Sequence, residues 1–491
     1  MKLLTSKPTS LRSFHPKKYP TKTSPLLYLT LIFSLLFLLY FFSLSLSSLL
    51  KTQLPNSPNC PSLNGDRFLW YAPHSGFNNQ LMEFKNGILL AGILNRTLVV
   101  PPVLNHHAVA LGSCPKFRVT GPNEIRGEVW DHVVELIRSG RYVSMADIVD
   151  ISSLVSSPLV RVIDFRVFMS LWCNVKLDFA CHTEFDAQPY LLDKLKECGS
   201  VLTGVKGNAK CVHAVSEDCR TTVWTYQNGK EDGALDSFQP DEKLKKKKIP
   251  YVRKRRDVYK TFGPGSKAES ASVLAFGSLF TAPYKGSELL IDIHESPRDL
   301  RIGTLMEEIE FLPFTPAILS AGKKFALDTI KAPFLCAQLR LLDGQFKNHW
   351  KTTFEGLKQK VETLMQSNLP IHIFVMTDLP ESNWTGNYLG DLARDSNQFK
   401  LFILKESDEL VIETAKRIVD TGHGMKFNNF ANVNDGTDQI KKSCPSAVMP
   451  DVLLYIEQTV CSCASLGFVG TAGSTIAGSI ELMRKFRACF D

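Results

Sequence analysis

The chain has 491 residues, 44% hydrophobic and 22% charged, which excludes wholesale disorder and leaves room for more than one globular core. Its formal net charge of +8 is concentrated in two places. Residues 1–25 carry six cations and no acid, and "KLKKKKIPYVRKRRDVYK" at 243–260 sets ten Lys/Arg against Asp257 alone, so the remaining body is mildly acidic.

In chain order, 1–25 reads as a basic cytosolic tail and 26–48 as a single transmembrane anchor. The stretch "LLYLTLIFSLLFLLYFFSLSLSSLL" (26–50) is uncharged and long enough to cross a bilayer core, which takes about 20 residues. A cleaved signal peptide would have a shorter apolar core and a clearer small-residue cleavage site. The charge bias predicts a type II topology, with everything after Lys51 in the lumen, and the short, Phe-rich span suits a Golgi membrane. All 12 cysteines lie beyond the span, where disulfides are expected; Cys461 and Cys463 read as buried or cross-linked rather than as metal ligands.

Residues 49–66 read as a stem, and then the pattern turns α/β. "RFLWYA" is a strand, and Leu81, Phe84, Ile88, Ala91 and Leu94 recur as one helical face. "TLVVPP" is a second strand, parallel to the first. An N-terminal domain is placed at 67–315, with an insertion at about 200–265 that includes the basic block. The C-terminal domain, 316–491, alternates again: "APFLCAQLR", "IHIFVMTD", "KLFILK" and "LGFVG" as strands, "FEGLKQKVETLMQ", "ELVIETAKRIV", "DVLLYIEQTV" and "STIAGSIELMRKFR" as helices. Two α/β domains sharing a cleft is the economical architecture.

Three loops fall at the carboxyl ends of predicted strands, where parallel sheets bind ligands. "HSGFNNQ" (74–80) puts Gly76, Asn78, Asn79 and Gln80 at a helix start, suited to phosphate or sugar hydroxyls; it is neither a G-x-G-x-x-G nor a Walker loop. "APFLCAQLR" ends on Gln338 and Arg340, a cation that cannot be neutralised. "GTAGST" ends on Ser474 and Thr475 at another helix start.

These segments carry a resemblance. "GFNNQ" followed by "LAGILNRTLVVPP", the strand "FLCAQLR", "FVMTD" and "GFVGTAGSTIAGSIELMR" occur in the order of the GDP-fucose O-fucosyltransferase family, plant-type membrane-anchored branch, over about Phe68 to Arg487. The resemblance implies a GT-B fold with two Rossmann-like domains facing a cleft. It also implies inverting, metal-independent transfer of fucose from GDP-fucose to a hydroxyl of a protein or polysaccharide acceptor, with no cofactor or metal. It places Asn79 and Arg340 at the reacting diphosphate, with Gly76, Asn78, Gln338, Asp378, Ser474 and Thr475 completing the nucleotide-sugar site.

Two positions depart from the family pattern: Gln338 stands where the family has His, and Ile476 where it has an aromatic. They keep open a pectin-type rhamnosyltransferase using UDP-rhamnose and a non-catalytic luminal glycan-binding pseudoenzyme. Glu83, His106, His107 and Asp343 are the candidate acceptor bases. In the lumen the basic insertion has no nucleic acid to bind; it reads as a solvated loop or as a feature that attracts an acidic acceptor. Of the two glycosylation sequons, Asn95 is expected to be buried and Asn383 to be accessible.

Overall fold

The computed structural model describes residues 66–105, 121–156, 158–175, 189–204, 211–217, 222–226, 254–279, 291–292, 299–342, 344–365, 370–422, 424 and 451–490. The basic tail, the anchor and nearly all of the stem lie outside these residues. Among the described residues no helix is long and apolar enough to cross a membrane. Residues 60–491 form one compact unit.

The strands are β1 (Phe68–Tyr71), β2 (Thr97–Val100), β3 (Val162–Asp164), β4 (Val212–Ala214), β5 (Thr222–Thr225), β6 (Lys254–Asp257), β7 (Val273–Phe276), β8 (Ile291–Asp292), β9 (Phe334–Leu339), β10 (Ile371–Thr377), β11 (Phe399–Phe402) and β12 (Gly467–Gly470). They form a five-stranded sheet of order β3-β2-β1-β7-β4, a four-stranded sheet of order β11-β10-β9-β12 and a small sheet β6-β5-β8, every pairing parallel. The expected α/β fold with parallel sheets is present.

Connections in the first large sheet leave β1 toward β2 on one side, while β7 and β4 return on the other. In the second, β10 and β11 lie to one side of β9 and β12 to the other. Each order reversal opens a crevice at the strands' carboxyl ends, so the loops after β1, β9 and β12 sit at switch points.

The helices used below are α1 (Phe77–Leu94), α2 (Pro122–Arg138), α3 (Phe165–Cys173), α4 (Pro189–Leu202), α5 (Leu300–Glu310), α6 (Pro316–Lys324), α7 (Trp350–Leu364), α8 (Glu409–Thr421), α9 (Val452–Ser462) and α10 (Thr475–Lys485). α1 buries the apolar face read from its spacing and stops at Asn95, whose left-handed backbone (φ 49°) caps the last turn. Asn95 is solvent-exposed, against expectation: the capping position turns its side chain outward rather than into the core.

Strand alternation sorts the core into layers. Phe68 and Trp70 face α2, α3 and α4, where Trp70 meets Trp130 edge-on; Leu69 and Tyr71 face α1. The cluster on the α1 side continues without a break through Phe314 and Tyr455 to Phe334, Cys336, Phe374 and Met376 of the second sheet. The second sheet's other face, Leu335, Ala337 and Leu339, packs on α7. One apolar layer therefore lies between the two sheets.

Two readings of the 200–265 segment change. Residues 212–214 are no insertion: β4 pairs with β7 as the edge of the first sheet. The end of the basic block is no loop either, because Lys254–Asp257 pairs with Thr222–Thr225 and Val258–Phe262 is helical, with Val258 and Phe262 buried. Buried Val258 and Phe262 give the charged run an apolar anchor that its composition hides. Residues 243–253 lie outside the described residues.

The disulfides among the described residues meet the cysteine expectation. Cys173–Cys198 joins α3 to α4, Cys336–Cys461 joins β9 to α9, and Cys463–Cys489 ties the end of α9 to the chain's last residues. α9 is further fixed by α6, which approaches it through Gly322: a Cβ there would lie 2.4 Å from Cβ of Thr459. Gly322→Ala is expected to destabilise the chain by about 1–3 kcal/mol in denaturant titration. Gly303→Ala, on α5 with nothing within 4 Å of its added methyl, should instead be neutral or stabilising by up to about 1 kcal/mol.

Candidate functional site

A cleft of about 360 Å³ opens where the switch points meet. Its lining contains Gly76, Asn78 and Asn79 after β1, Gln338 and Arg340 at the end of β9, Asp378 at the end of β10, and Thr475 at the start of α10. Loops separated by up to 400 residues thus converge because each leaves the carboxyl end of a strand. Ser474 does not line the cleft; it caps α10 from just beneath.

The residues do different things. Asn79 Oδ1 and Ser474 Oγ are buried and without a hydrogen-bond partner among the described residues, and Ser474 makes no side-chain cap bond. A buried acceptor left unmatched costs about 1–3 kcal/mol, so Asn79 Oδ1, which lines the cleft, favours a bound donor group. Asn78 is instead spent on the protein: its Nδ2 donates to Gln458 Oε1 (3.0 Å) and to the Thr475 carbonyl (3.3 Å), and its Oδ1 accepts from Gln458 Nε2 (3.4 Å). It ties α1 to α9 and α10 and thereby holds the floor of the cleft. Gln80 is structural as well, bonded to the carbonyls of Ser75 and Leu104 and to the Leu104 N–H. Gly76 has φ −69°, open to any residue, so glycine is not required there for its backbone angle.

Arg340 is aimed by its neighbours. Thr471, just after β12, donates its N–H to Gln338 Oε1 (3.3 Å) and accepts the Arg340 N–H on its hydroxyl (2.9 Å). Asp378 accepts from the N–H groups of Leu341 (2.7 Å) and Leu342 (3.0 Å), clamping the backbone beyond the arginine. The guanidinium lies over the Phe346 ring at 5.2 Å. Gln338 thus holds the turn after β12 through its neutral amide oxygen.

The acceptor-base candidates are not gathered here. Glu83 is fully buried away from the cleft, accepting from the His74 N–H (2.8 Å), the Ser278 hydroxyl (2.7 Å) and the Leu279 N–H (3.1 Å). It holds the loop ahead of α1 and is no base for an acceptor. His106, His107 and Asp343 lie outside the described residues.

What sequence reasoning missed is the α9 wall, made by Asp451, Leu454 and Glu457. The signal was available: Glu457 is the one charged residue in the helix "VLLYIEQTVCS", and a carboxyl inside so apolar a segment needs a reason. Burial pushes it up to about 8.

One guanidinium and two helix starts, set at the crevice of two parallel sheets, define a site for an anionic ligand, and the unmatched Asn79 oxygen beside them suits a hydroxyl donor on that ligand. No protein-family model matches the chain. It is 62% identical over 441 residues, 88% of its length and 86% of the relative's, to O-fucosyltransferase 30 of Arabidopsis thaliana. The chain belongs to the O-fucosyltransferase family and is a glycosyltransferase. Among solved structures it overlays loosely on POFUT1 in complex with GDP (TM-score 0.37, 13% identity, 86% of this chain and 94% of that one) and with GDP-fucose (TM-score 0.35, 12% identity, 87% and 96%). Overlays that loose assign no residue here.

Proposed function

We propose that the chain is an inverting, metal-independent GT-B fucosyltransferase that moves fucose from GDP-fucose to a hydroxyl of a protein or glycan acceptor. Its halves, 67–315 and 316–491, face each other across the cleft, and a single anchor at 26–48 holds it in the Golgi membrane with the catalytic body in the lumen. The observation that carries the reading is Arg340, the one cation among the described residues that line the cleft, at the end of the central strand β9. As the acceptor hydroxyl's oxygen bonds to the sugar's anomeric carbon from one face, its proton passing to water or to the departing phosphate, the bond to the β-phosphate oxygen breaks on the other, and negative charge grows on the departing diphosphate. A fixed guanidinium beside helix N–H groups meets that charge.

GDP-fucose at a hundred times its Kd is expected to stabilise the full-length chain by about 2.7 kcal/mol, read as a rise in melting temperature, while added chelator leaves turnover unchanged. UDP-rhamnose should leave the melting temperature where it was. Stabilisation by UDP-rhamnose alone would move the donor assignment to a rhamnosyltransferase, the reading that Gln338 and Ile476 kept open.

A further inference from the structure

Asp451, Leu454 and Glu457 are spaced along α9 so that one helical face borders the cleft. Among the described residues lining it, one cation, Arg340, meets three carboxyl groups, Asp378, Asp451 and Glu457. With all three ionised, the cleft would repel a phosphate chain. Asp378 has its charge spread over two backbone N–H groups, and Asp451 stands at the N-terminus of α9. Glu457 is partly buried, reaches the cleft, and has no hydrogen bond or ion pair to any described residue.

We propose that Glu457 binds the nucleotide uncharged, donating its carboxyl proton to a phosphate oxygen. The inference rests on the nucleotide-diphosphate reading of the cleft given above. A neutral carboxyl replaces a repulsion with a hydrogen bond, and an anion placed against it strengthens its hold on the proton.

The groups on the elements packed against α9 do not supply an alternative. Arg484 on α10 donates to the carbonyls of Cys461 and Ala464, and Glu83 on α1 is bonded as described. His372 is the second residue of β10, at the end opposite the cleft. The charged side chains of α8 and Lys324 of α6 are solvent-exposed, Lys323 is partly so, and Tyr455 on α9 packs against Phe77 and Phe314. None of them moves Glu457, whose rise to about 8 has burial as its single cause. Because the protonated form is the one that binds, nucleotide affinity is full below that value and is lost as pH rises through it.

The test is isothermal titration of the full-length chain with GDP between pH 7.0 and 8.5, a range in which a terminal phosphate, with its second ionisation near pH 6, is already charged. The wild-type Kd should weaken about fourfold across that range. Glu457→Gln keeps a donor and loses the ionisation, so its Kd, whatever its value at pH 7.0, should stay flat to pH 8.5. At pH 8, titrations in two buffers of different ionisation enthalpy should show wild type taking up a fraction of a proton on binding GDP; this decides the matter even if the variant fails to fold. Equal pH slopes for wild type and Glu457→Gln, with GDP still bound, would overturn the role of Glu457 alone. So would affinity that tightens with pH, as an ionised carboxylate accepting from N–H groups would give. No binding of GDP at any pH would overturn the nucleotide reading and this inference together.

Discussion

Arg340→Lys is expected to lower kcat by roughly a hundredfold or more while the melting transition stays in place. The magnitude is that of removing one preorganised donor from a developing negative charge. Lysine keeps the charge, and the backbone bonds to Thr471 and Asp378 survive, but it loses the planar fork and the guanidinium's seat over the Phe346 ring. Single-turnover kinetics with GDP-fucose is the check. A folded Arg340→Lys chain with near-normal turnover would remove the guanidinium from the reaction.

The second large effect belongs to the Cys336–Cys461 bridge. It closes a sequence separation of 125 residues, and releasing such a loop into the unfolded ensemble is expected to cost about 4–5 kcal/mol of stability. The bridge is also local to the site. Cys336 is two residues before Gln338 on β9, and Cys461 is one helical turn after Glu457 on α9, so it locks together the two walls that carry the arginine and the glutamate. Cys336→Ala with Cys461→Ala, followed by denaturant unfolding, measures the first effect. A loss below about 1 kcal/mol would show that the unfolded chain was not restrained by this link.

Most strands and helices near the cleft were legible in the sequence because each is a short apolar run with its own period: "FLWY" is buried throughout, and the face of α1 follows from Leu81, Phe84, Ile88 and Ala91. The carboxyl-end loops were legible for a topological reason, since a parallel sheet sends all of them to one edge. Division of labour inside those loops was not. Asn78 and Asn79 are adjacent and chemically identical, yet one is consumed by Gln458 and the other keeps a buried, unmatched oxygen; only the packing of α9 decides which. Glu83 and Glu457 make the same point in reverse. The first sits beside the site loop in sequence and is sealed into its support, while the second is hundreds of residues away and borders the cleft. The edge strand β4 was hidden because "VHA" is three residues long, too short for any period to show.

The unbroken apolar layer between the two sheets bears on how the enzyme works over a catalytic cycle. Phe77, from the loop side of the first sheet, and Tyr455, from the wall helix of the second, pack as tilted rings with centroids 4.4 Å apart, and Phe314 joins them. Swinging one half away from the other would wet those rings and break the Asn78–Gln458 amide pair at the same stroke. Any opening of the cleft by moving the two sheets apart would therefore cost this apolar contact and the amide pair together.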